Sequence, residues 1–123
     1  MTPMTRALTG SHLVFNLDRR ITDLRQDESY VATGRLGSTL VKDGPLRLTL
    51  TVLRAGTSAG THHAAEPMVR QVLEGRLRYR VGSEVHTLVA GEVLFFGPGH
   101  AQDIAALEDT ALLLRITRTT EQG

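Results

Sequence analysis

The chain has no cysteine and no tryptophan, and its aromatic content is two tyrosines and three phenylalanines. Without cysteine there are no disulfides, zinc–thiolate sites or thiol nucleophiles, a composition that suits a reducing cytoplasm. So few aromatics cannot build the stacking platforms that grip single-stranded nucleic acid. Charge of either sign is missing in excess as well: the net charge is +1, so no overall field draws nucleic acid or an anionic membrane. Lys42 is the only lysine, and arginine supplies the remaining positive charge. No run approaches the ~18 apolar residues of a membrane-spanning helix. The opening MTPMTRALTG lacks the apolar core of a signal peptide. The expectation is a cytoplasmic protein with neither nucleic acid nor membrane among its partners.

What is present reads as one domain of 123 residues, with residues 1–16 as a polar N-terminal arm and 17–123 as the folded unit. Asn16 or Asp18 caps a short helix near residues 19–26, where Ile21 and Leu24 have helical spacing. Beyond Ser38 the pattern changes to strands. Leu46, Leu48, Leu50 and Val52 alternate with Arg47, Thr49, Thr51 and Leu53, a period of two that no helix produces. Leu77, Tyr79 and Val81 alternate in the same way with Arg76, Arg78 and Arg80 before the turn Gly82-Ser83. GTSAG reads as a break between strands. About eight short strands with hairpin-spaced turns predict a β-sandwich or closed barrel.

The glycine framework narrows this. Gly56, five residues and His62 begin one motif, which VLEG at 72–75 closes; Gly91 and the turn Gly97-Pro98-Gly99 form a second. In these pieces residues 38–117 resemble the cupin superfamily. That resemblance implies an all-β, double-stranded β-helix (a jelly-roll barrel), here with one short N-terminal helix. Its metal site draws histidines and a glutamate from the two motifs. Transferred by position, His62 matches the first histidine, His63 the intervening residue and Ala64 the second histidine. Met68 stands at the glutamate position, and Gln102 at the histidine of the second motif. Only His62 keeps the family's residue type. Thioether, amide and methyl are poor donors for a hard divalent ion.

The expected site is therefore a barrel lumen lined by His62, Met68, Arg70, Phe95, His100 and Gln102, taking a small polar or anionic molecule. A divalent metal (zinc, nickel, iron or manganese) would need a shifted set of His62, His63 and Gln102. A bulge would have to bring the adjacent histidines together, because neighbouring residues of a strand face opposite ways. That alternative is a metal-dependent enzyme of dioxygenase or isomerase type. A third is a structural or regulatory dimer with a vestigial lumen. Arg70 has two readings. By alternation it shares the lumen face of Met68 and Val72, where it must be paired or meet an anion; with a bulge it turns outward to join Arg76 and Arg78. The run Leu112-Leu113-Leu114 with Ile116 is apolar on both faces, so either the sheet is covered there or a second subunit packs on it, and a homodimer is expected.

Overall fold

A computed structural model describes residues 12–63, 66–97 and 101–117. Part of the arm, 1–11, lies outside them, as do Ala64 and His100; His62 and His63 are described in their backbone only. Among the described residues two helices come first, α1 (Leu17–Gln26) and α2 (Glu28–Thr33). Asn16 caps α1 by accepting a hydrogen bond from the Arg19 amide at 3.0 Å. The second helix corrects the expectation of one. Asp27 ends α1 and caps α2, accepting from the Ser29 amide at 2.8 Å, and Gly34 closes α2 with φ 81°. Six residues do not hold a helix alone; α2 is held by its tertiary contacts, with Tyr30 buried and the Arg54 guanidinium 5.8 Å from its ring centroid.

Nine strands follow among the described residues: β1 (Arg35–Asp43), β2 (Leu46–Leu53), β3 (Ser58–His63), β4 (Met68–Glu74), β5 (Arg76–Val81), β6 (Glu84–Val89), β7 (Val93–Phe96), β8 (Ala101–Ala106) and β9 (Thr110–Thr117). The additional one is β3. The break at GTSAG is confined to its start, where Gly56 turns at φ 88°, and Ser58 already pairs with Ala105. The strands form two sheets, ordered β1-β2-β9-β4-β7 and β3-β8-β5-β6, with every pairing antiparallel.

Between the sheets lies an apolar core of Leu53, Val72, Leu77, Leu88, Ile104, Ala106 and Leu112. A second cluster occupies the outer face of the five-stranded sheet, where Ile21 and Tyr30 of the helices pack on Leu40, Leu50, Val52 and Ala111, with Leu48 and Leu113 beside them. The apolar face of β2 thus looks out toward the helices, and its other face, Arg47, Thr49, Thr51 and Leu53, looks inward. The apolar run of β9 divides likewise. Leu112 packs between the sheets, Leu113 joins the helix-side cluster, and Leu114 and Ile116 join a third cluster around Met68 and Phe96. Within the chain, the facing sheet and the helices pack on this run. Among the described residues no helix is long and apolar enough to cross a membrane.

Candidate ligand-binding lumen

Register decides what faces the interior. Across the five-stranded sheet, Arg70 of β4 aligns with Leu94 of β7 and Leu114 of β9; Met68 aligns with Phe96 and Ile116. On the facing sheet, Gln102 of β8 aligns with Val81 of β5 and with His62 of β3. The core between the sheets closes one end of this space. Towards the other end come Arg70 and Gln102, then Met68, Phe96, Tyr79, Val81, Leu114 and Ile116.

Arg70 is 5% exposed and Gln102 1%. The two side chains meet across the gap between the sheets: Arg70 Nη1 donates to Gln102 Oε1, and Gln102 Nε2 donates to Met68 Sδ at 3.5 Å. The amide is thereby spent at both ends, and it orients the guanidinium. No ion pair among the described residues involves Arg70; those found among them join Arg25–Glu74, Arg76–Glu108, Arg80–Asp103 and His86–Glu84. Desolvation pushes the Arg70 pKa down from arginine's ordinary value to about 10, which leaves it charged at neutral pH. A buried cation answered only by a neutral amide is costly unless an anion joins it. Of the two readings for Arg70, the inward one is found: the bulge of β4 falls later, between Val72 and Glu74, and does not disturb residues 68–72.

Placement corrects one lumen residue. Phe95 pairs with Val69 on the outer face and is 63% exposed, whereas Phe96 pairs with Met68, points inward and is 5% exposed. Two adjacent phenylalanines on a strand must divide between its faces, and the alignment with Met68 assigns Phe96 to the lumen. Sequence reading also passed over the tyrosine. The Tyr79 ring sits edge-on to Phe96 at 6.3 Å and stacks on His86 at 5.2 Å. Its signal was the alternation of RLRYRV, which already placed Tyr79 on the apolar face.

The cation-binding set fits poorly. The Gln102 carbonyl oxygen, the atom an amide offers to a hard ion, accepts from Arg70, and Met68 is a thioether. A divalent cation placed beside them would face a guanidinium. The ladder of β3 runs unbroken from Gly60 to His63, with His62 opposite Gln102 and His63 opposite Ala101. The bulge of β3 lies earlier, between Ser58 and Gly60, so it does not bring the adjacent histidine positions to one face. Among the described residues no three of His, Asp or Glu gather as a metal site. These residues do not fit the metal that the resemblance implied.

The fold is the two-sheet jelly roll of cupins. Solved structures similar to this chain include a conserved protein of unknown function from Streptococcus pyogenes (TM-score 0.74, 20% identity, covering 94% of this chain and 95% of that one). A cupin-2 domain containing protein from Shewanella frigidimarina matches at TM-score 0.70 and 19% identity, over 85% of this chain and 95% of that one. A point mutant of salicylate 1,2-dioxygenase from Pseudoaminobacter salicylatoxidans matches at TM-score 0.70 and 25% identity, covering 82% of this chain but 32% of that one. No family model matches the sequence, and no curated protein matches it significantly.

Proposed function

We propose that this chain is a small-molecule-binding cupin whose lumen takes an anion at Arg70, the guanidinium being held by Gln102, the residue at the position of the second motif's histidine. One observation carries the reading: Arg70 is 5% exposed, and its partner among the described residues is the neutral Gln102. The planar guanidinium suits a carboxylate or phosphate, which it can engage through two parallel N–H donors. Gln102 fixes its orientation, and Met68, Phe96 and Leu114 supply apolar walls for the rest of the molecule. The salicylate named in one structural neighbour is itself a carboxylate, in keeping with this class of ligand. A metal-dependent dioxygenase or isomerase reading would need donors that Gln102 and Met68 do not supply.

The test is thermal unfolding with and without inorganic phosphate and small carboxylates. A ligand that binds only the folded state raises apparent stability, by about 2.7 kcal/mol at one hundred times its Kd. The expected result is a rise in Tm for wild type that Arg70→Met abolishes. Tm unmoved by every anion, or moved equally in Arg70→Met, would refute the reading.

A further inference from the structure

Lumen-facing positions of the five-stranded sheet carry more positive charge than Arg70 alone. β2 pairs with β9 so that Arg47 aligns with Ile116, whose other neighbour is Met68; Arg47 therefore lies in the inward row that runs through Met68 to Phe96. The alternation of β2 agrees, since Leu46, Leu48 and Leu50 occupy the opposite face and Leu48 and Leu50 pack under the helices. Beyond the bulge between Thr39 and Val41, β1 aligns Lys42 directly with Arg47. Like charges opposite each other on one face of an antiparallel pair repel. Arg47 is half-buried and Lys42 exposed, and neither joins an ion pair among the described residues. Asp43, next in sequence to Lys42, does not answer them, since it aligns with Leu46 on the other face, and neither Asp43 nor Glu66 forms an ion pair among the described residues. Glu84 is engaged by His86 at 3.2 Å on the far edge of the other sheet.

Arg70 and Arg47 are two strands apart and one inward position out of row. With neighbouring strands ~4.8 Å apart and ~3.4 Å per residue, their Cα atoms are separated by about 12 Å. Residues between them in the inward rows are Leu114 and Thr49 at the level of Arg70, and Ile116 at the level of Arg47. The surface is thus two cationic stations, one deep and one near the rim, joined by a mostly apolar span.

From this we propose that the ligand is an elongated dianion, a small dicarboxylate, with one carboxylate on Arg70 and the other on Arg47 and Lys42. The inference rests on the anion site at Arg70 and adds the second station. It also accounts for the tolerated Arg47–Lys42 opposition, because a carboxylate between like charges turns repulsion into attraction.

Titration calorimetry on the full chain would compare succinate, glutarate and adipate with butyrate and inorganic phosphate, for wild type, Arg47→Gln, Lys42→Gln and Arg70→Met. At least one dicarboxylate should bind wild type about ten-fold more tightly than butyrate. Arg47→Gln should remove that advantage and leave butyrate within about two-fold, with Lys42→Gln having a smaller effect because that side chain is exposed. Dicarboxylates that bind no better than butyrate, phosphate that equals the best of them, or a dicarboxylate advantage that survives Arg47→Gln would each overturn the second station alone. If no anion binds wild type, or binding persists in Arg70→Met, the site at Arg70 falls and this inference with it.

Discussion

Arg70 is a residue kept at a cost. Its charge is withdrawn from water and shared with a single amide among the described residues. Replacing a buried ionic group by an apolar side chain of similar volume is often neutral or stabilising, whereas leaving one polar partner stranded is not. Arg70→Met alone strands Gln102 Oε1, while Arg70→Met with Gln102→Leu removes both ends. We expect the double variant to be more stable than the single by about 1–3 kcal/mol in urea unfolding, and at least as stable as wild type, while binding no anion. A double variant less stable than wild type would show that the Arg70–Gln102 bridge stabilises the fold in its own right. The neighbouring phenylalanines make a second comparison. Phe96→Ser empties a packed position and should cost roughly 3 kcal/mol or more, whereas Phe95→Ser on the outer face should stay within about 1 kcal/mol and leave anion binding unchanged. The cupin resemblance placed Met68 and Gln102 at two of its ligand positions, and the structure brings their side chains together at 3.5 Å. Which of two consecutive phenylalanines faces inward was not legible, because both are apolar and only the alignment with β4 separates them.

At the scale of elements, alternation identified the strands but not what covers them. The leucine row of β2 reads as a core face, and it is one; its cover is the helix pair, not the opposite sheet. Nothing local in LRLTLTVL distinguishes these two destinations, so Arg47 and Thr49 could not be assigned to the lumen from the sequence. The second helix escaped for a related reason: six residues with one buried side chain carry too little periodic signal. The turns were more transparent. Gly75 closes VLEG at φ 92°, and a Cβ there would lie 2.3 Å from the Asp109 carbonyl oxygen and 2.8 Å from Thr110 Cα, both backbone atoms. Gly44, at φ 58°, has nothing within 4 Å of such an atom. Gly44→Ala should therefore cost only the left-handed backbone penalty of about 1–2 kcal/mol, and Gly75→Ala distinctly more, since strand β9 must shift to admit the methyl group. Chemical unfolding of the pair measures the difference. Equal losses would mean that the corner between β4 and β5 yields without cost.

Taken as a whole molecule, the protein places a closed apolar core at one end and charge toward the other, so its response to pH identifies which group holds the ligand. Burial pushes the Arg70 pKa below arginine's ordinary value, to about 10. A base whose proton is held less tightly in the folded state leaves the unfolded chain binding more protons between about pH 10 and arginine's ordinary pKa. Stability therefore rises with pH across that window, and the full cost of the buried charge applies everywhere below it. From about pH 6 to 9 Arg70 is charged in both states, so its contribution does not change. Carboxylates with ordinary values near 4 are ionised over the same range. Binding of glutarate through Arg70 should accordingly be flat from about pH 6 to 9. Imidazoles behave differently, because they lose their charge near pH 6.5. If His62, His63 or His100 carried the anion as an imidazolium, affinity would fall steadily as the pH rose through that value. Calorimetric titration of glutarate at several pH values separates the two, and a steady fall centred near 6.5 would move the anion from the guanidinium to a histidine.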